Sequence, residues 1–171
     1  WEKNKRIYLG KGRNGVNGWH ARITTSGLPE GDDYAIIAVA TDLDGNQDAD
    51  ISFSAYVDGT PPWLNLDPIR SPILNDSVTL NWSAGDNLAG IDHYALAVNV
   101  NDQGYQTLET NIPGTNTSYD VPVDKEQLLV IKLTAYDKSG NQTTEKIVIY
   151  TENYEFEYQY ILPWIFSGAG D

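Results

Sequence analysis

Apolar residues recur at every second position along most of this chain. Val78, Leu80 and Trp82 alternate with Thr79 and Asn81, and Tyr94, Leu96, Val98 and Val100 keep the same period. Leu129, Ile131, Leu133 and Ala135 do likewise, and Ile147 and Ile149 continue the set. Side chains two apart share one face of a strand, so each set marks a half-buried β-strand. Gly, Pro, Asn and Asp clusters interrupt the sets about every ten residues, the rhythm of an all-β sandwich. The abundance of Thr, Val, Ile and Tyr also favours strands over helices. The one helix-compatible stretch, Val123 to Leu129, is short and reads better as a turn entering a strand.

The chain repeats itself. Residues Ile36 to Gln47 match Ile131 to Gln142 at an offset of 95, about the length of one sandwich domain. In each copy a strand runs into Asp-x-x-Gly-Asn (Asp42 to Asn46, Asp137 to Asn141), and a second apolar strand follows. The glycine supplies a positive φ at no steric cost, and the leading Asp accepts backbone N–H groups across the turn. The motif is therefore a hairpin device before it is a site. Between the copies lies Asp58-Gly59-Thr60-Pro61-Pro62-Trp63, where two prolines remove two donors and stiffen the backbone. The expected division is 1–59, a Pro-rich linker at 60–62, 63–150, and a tail at 151–171.

These residues carry a family resemblance. Gly27-Leu28-Pro29-Glu30-Gly31, the turn from Ala40 to Asn46 and the Asp58 to Pro62 linker together resemble bacterial Ig-like domains of secreted and surface proteins. Residues 63–150 resemble the next repeat, of the Ig-like or fibronectin type III kind. In it, Val78 to Trp82 is similar to the second strand with its core tryptophan, and Asp86 to Tyr94 to the loop into the third. The resemblance implies two tandem Ig-like/fibronectin III-like β-sandwiches. The first is expected to be incomplete at its N-terminus. It offers four or so strands (Lys5 to Leu9, Trp19 to Thr24, Tyr34 to Thr41, Ile51 to Val57) where a sandwich needs about seven. The chain also starts at Trp1 and shows no signal peptide. The expectation is that it is the C-terminal part of a longer secreted polypeptide, or that a partner supplies the missing strands.

The tail alternates Tyr154, Phe156, Tyr158 and Tyr160 with Glu155, Glu157 and Gln159, then runs Ile161-Leu162-Pro163-Trp164-Ile165-Phe166. This predicts an extended strand with an aromatic face. It either covers an edge of the second domain or joins a neighbouring subunit, with Tyr154, Phe156, Tyr158, Tyr160, Leu162, Trp164 and Phe166 as the interacting residues.

Charge narrows the function classes. The 171 residues hold 24 acidic and 11 basic side chains, a net charge of −13, which repels phosphate backbones and argues against nucleic-acid partners. Six of the basic residues lie within residues 1–22, while Ile23 to Asp124 holds Arg70 alone against sixteen acidic residues. That acidity is either a solvated surface or one neutralised by divalent cations or a basic partner. No apolar run is long enough for a transmembrane helix. Without cysteine, disulfides, thiolate metal sites and thiol nucleophiles are excluded.

Candidate chemistry is sparse. Gly10 to Gly15 is a literal G-x-G-x-x-G, but no helix pattern follows to aim N–H groups at a pyrophosphate, so it reads as a glycine-rich hairpin turn. Asp42, Asp44, Asn46, Asp48 and Asp50 place oxygen side chains at alternate positions, as calcium loops do. The stretch departs from an EF-hand at Gln47 and Phe53, and the second copy lacks the extra carboxylates. Two readings stand there: a structural calcium site in the first copy only, or an acidic turn without metal. Asp86 with Asp92 is a weaker ion candidate. The two histidines, His20 and His93, have no evident nucleophile beside them, and Glu155 and Glu157 share one side of an exposed tail. Trp1, Trp19, Trp63, Tyr105 and Trp164 are candidates for stacking on glycans. Four Asn-x-Ser/Thr sequons, at Asn75, Asn81, Asn116 and Asn141, suit a glycosylated surface.

The expected function is a non-catalytic structural or adhesion module of an extracellular, cell-surface protein, partnered by other subunits or upstream domains of the same polypeptide. The alternatives are an ancillary region of a secreted hydrolase and a carbohydrate-binding module.

Overall fold

The computed structural model describes residues 6–16 and 18–156, the side chains of residues 52–54 apart. Every regular element among them is a β-strand, and all strand pairs are antiparallel. The chain forms two compact units. One takes in the residues up to Thr60 together with Asn87–Ala89, and the other holds Pro61–Asp86 and the residues from Gly90 onward.

The first unit contains β1 (Arg13–Gly15), β2 (Gly18–His20), β3 (Gly31–Thr41) and β4 (Gln47–Val57). Among the described residues β1 pairs only with β2, and β3 only with β4. Two strands expected from the sequence are corrected here: among the described residues, Arg6 to Leu9 form no strand, and Trp19 to Thr24 shrinks to Gly18–His20. The tight β1–β2 hairpin, registered Arg13↔His20 and Gly15↔Gly18, leaves Ile7 to Leu9 without a ladder to join. The glycine-rich segment thus runs into β1 of this hairpin. No helix N-terminus follows it to cradle a phosphate.

The second unit has two layers. β5 (Trp63–Leu66), β6 (Ser77–Gly85) and β9 (Ser118–Pro122) form one sheet in the order β5-β6-β9. β7 (Ile91–Val100), β8 (Tyr105–Pro113), β10 (Leu128–Asp137) and β11 (Gln142–Tyr150) form the other, in the order β11-β10-β7-β8. The alternation in the sequence becomes the inward faces of both sheets. Val78, Leu80 and Trp82 from β6 meet Tyr94, Leu96 and Val98 from β7 and Leu129, Ile131 and Leu133 from β10 in one core. Leu80, Leu96, Ile131 and Leu133 have no exposed surface, and each such burial contributes about 1.5–3 kcal/mol. The Trp82 ring meets Tyr94 edge-on at 5.1 Å. Its Nε1 is buried with no hydrogen-bond partner among the described residues. Pro62 is fully buried, so the second proline of the expected linker is built into this unit.

Candidate functional site

The repeated turn is reproduced bond for bond. The Asp42 N–H donates to the Asn46 carbonyl at 3.0 Å and the Gly45 N–H to the Asp42 carbonyl at 3.2 Å. Asp137, Asn141 and Gly140 give the same two bonds at 3.0 and 3.2 Å. Gly45 and Gly140 sit at φ of 88° and 90°, which only glycine adopts freely. Each aspartate then closes the turn with its carboxylate. Asp42 Oδ1 accepts the Asp44 and Asn46 N–H groups at 3.0 and 2.8 Å, and Oδ2 accepts Asn46 Nδ2 at 2.8 Å. Asp137 does the same with Ser139 and Asn141 at 2.7, 2.9 and 2.8 Å.

This geometry places the five candidate calcium ligands. Asp42 and Asn46 are bonded to each other within the turn. Asp48 and Asp50 stand on β4 opposite Ala40 and Ala38, and each accepts the N–H of the next residue at 2.9 Å. No three carboxylates from Asp42, Asp44, Asp48 and Asp50 converge to within 4.8 Å. The alternate spacing sets oxygens along a ladder, and the turn closes on its own N–H donors.

The Asn46 side-chain amide, and after it the N–H groups of Asn46, Asp44 and Gly45, hold the Asp42 carboxyl below its usual pKa of 3.8. A depressed folded-state pKa contributes stability that is present above the unfolded value and is lost as pH falls through the folded one. The amide resonances of Asp44 and Asn46 should therefore shift together in acid, with a midpoint below that of an ordinary aspartate. Resonances that shift at or above the ordinary aspartate value, or separately from each other, would rule out this carboxylate as their shared acceptor.

The histidines and glycan-stacking candidates have structural surroundings of their own. His93 stacks flat on Tyr136 with ring centroids 4.5 Å apart, and its Nδ1 lies 2.8 Å from Asp92 Oδ2. Asp86 Oδ2 accepts the Gly90 N–H at 2.9 Å. Lys132 and Lys146, opposed in register on β10 and β11, set their Nζ atoms 4.8 and 5.6 Å from the centre of the Tyr105 ring, on which a sugar would have to stack. Trp19 and Trp63 are exposed. Trp63 lies against Gly85, its partner in register, where a Cβ would stand 2.7 Å from the indole. The sequence pattern carried no sign of the His93–Tyr136 stack or the lysine pair, because both depend on which strands become neighbours.

Of the tail residues, Tyr154 and Phe156 are described, while Tyr158, Tyr160, Leu162, Trp164 and Phe166 lie outside the described residues, as does Trp1. Residues 154–156 form no strand, against the expectation from their alternation. Phe156 instead meets Tyr150 and Tyr154 edge-on at 5.1 and 5.0 Å, a small aromatic cluster beside the end of β11.

The largest unfulfilled surface in the first unit is the β3–β4 hairpin. Ile36, Ile37, Val39, Ile51 and Tyr56 are all at least 38% exposed, and no described side chain of residues 6–60 is buried. Ile36 and Ile37 are adjacent on one strand, so apolar side chains stand on both faces of the hairpin. A two-stranded hairpin is marginal in water at best, and eleven-residue strands with two apolar faces match the interior of a larger sheet. The edge of β4 carries Asp48 and Asp50, whereas β3 has no charge from Tyr34 to Thr41. Charge on an edge strand deters pairing with other chains, and beyond Asp32 and Asp33 at its start β3 lacks that protection. No protein-family model matches this chain, and no curated protein matches it.

Proposed function

We propose that this chain is a non-catalytic structural and adhesion module of a bacterial cell-surface or secreted protein, joining subunits or neighbouring domains through open sheet edges. Its two units are read as tandem Ig-like or fibronectin III-like sandwiches. Support for that comes from the second unit, whose seven strands divide three and four over one core with connections that cross between the sheets. The observation that carries the function is the β3 edge, uncharged from Tyr34 to Thr41 on a hairpin whose apolar faces are exposed. Strand addition at such an edge gives affinity through main-chain hydrogen bonds and specificity through alternate side chains. The Asp42 turn is read as part of the scaffold, with calcium as an optional structural occupant.

Light scattering across a concentration series tests this. The expected result is a mass that rises with concentration for the native chain. An Ile37→Lys variant should weaken association by about tenfold or more, because a lysine on the strand opposes edge pairing. Circular dichroism from the second unit checks that the variant is folded. A single-chain mass at every concentration, unchanged by Ile37→Lys, would sink the proposal.

A further inference from the structure

The internal repeat indicates what belongs on the open edge of β3; the inference rests on the assembly reading above. β3 and β4 correspond to β10 and β11 at the offset of 95 residues. In the second unit β10 pairs with β11 on one side and with β7 on the other, antiparallel from Leu129↔Val100 to Tyr136↔His93. β3 has its β4 but, among the described residues, no counterpart of β7. The open edge is therefore the one that, in the second copy, receives an antiparallel strand with apolar residues at every second position, Tyr94, Leu96, Val98 and Val100.

We infer that Tyr158 to Phe166 of a second copy of this chain adds to β3 as that strand. Three observations select this occupant. Tyr158, Tyr160, Leu162, Trp164 and Phe166 repeat the period of two over nine residues, a span of about 30 Å when extended. The segment carries no charge, and neither does β3 from Tyr34 to Thr41, so the two approach without like-charge repulsion in a chain of net charge −13. Tyr154 and Phe156 are engaged beside Tyr150 of their own unit, so the segment proposed here begins after Phe156. Pro163 lacks an N–H, and an added edge strand tolerates it where that position faces away from β3. Donor and acceptor in this proposal are different surfaces of the chain. Such a contact is heterologous and builds open chains or rings.

The test uses the full chain, which has no cysteine of its own. Copies carrying Val39→Cys are mixed with copies carrying Tyr160→Cys, and hydrogen exchange of the β3 amides is followed with concentration in the native chain. The expected results are a disulfide-linked heterodimer in the mixture and β3 amides exchanging about tenfold or more slowly at high concentration. Tyr158→Lys with Tyr160→Lys in the full chain should abolish that protection, and added peptide 157–171 should restore it. Protection that is independent of concentration yet lost with the lysines would place the tail on its own chain and overturn the inference. A mass that rises with concentration and ignores the lysines would overturn it too, while leaving the assembly reading intact. A single-chain mass throughout would overturn both.

Discussion

Trp82→Ala should destabilise the second unit by about 3–5 kcal/mol, whereas Trp82→Phe should cost about 1 kcal/mol or less. Trp82 is 3% exposed and fills the space between the two sheets. Removing it loses both the transfer free energy of the ring and the contacts of the cavity left behind, including the edge-on packing with Tyr94. Phenylalanine keeps most of that packing. It also removes the Nε1–H, which is buried with no partner among the described residues. An unsatisfied buried donor costs about 1–3 kcal/mol, and recovering that offsets the smaller ring volume. Denaturant unfolding followed by circular dichroism distinguishes the two changes. Equal losses for alanine and phenylalanine would show that the indole N–H carries no penalty, which would in turn mean it finds a partner in solution.

Asp137→Ala is expected to destabilise by about 2–4 kcal/mol, and Asp42→Ala to cause a much smaller loss, although the two turns share the same five internal hydrogen bonds. The difference is burial. Asp137 is 2% exposed, so its removal opens a buried gap at the base of the turn as well as taking this acceptor from Ser139 and Asn141. Asp42 is exposed, and water takes its place. One effect works the other way. An Asp137 carboxylate oxygen lies within 4.8 Å of one from Asp86, so Asp137→Ala also relieves a like-charge contact. The three lost acceptances outweigh it, because hydrogen bonds to a charged group contribute about 1.5–3 kcal/mol each when buried. Hydrogen exchange of the amides flanking each turn reads the two losses separately. Equal effects at Asp42 and Asp137 would contradict the burial argument.

Much of the second unit was legible before any coordinates. Val78, Leu80, Trp82, Leu96 and Leu133 all lie on the faces that their period of two assigns, because the pleat of a strand is a local property of the backbone. The repeated turns were legible for the same reason, since glycine at positive φ and a leading aspartate act within five residues. Less was legible in the first unit. Ile7 to Leu9 alternate as a strand would, yet a strand exists only where a second one pairs with it, and these residues have none. The spacing of Asp42, Asp44, Asn46, Asp48 and Asp50 left both a calcium site and an acidic turn without metal open. What the structure adds is that Asp42 accepts from within its own turn, whereas Asp48 and Asp50 follow on one face of the β4 ladder.

Sequence alone thus determined what is local: which side chains of a strand share a face, where the chain turns and that one hairpin occurs twice. Tertiary structure alone decided what depends on neighbours. It placed β10 between β11 and β7 while leaving β3, among the described residues, with β4 only, and it buried Asp137 while exposing its twin Asp42. The physical reason is that period and propensity are properties of one segment, whereas pairing and burial are properties of two segments brought together.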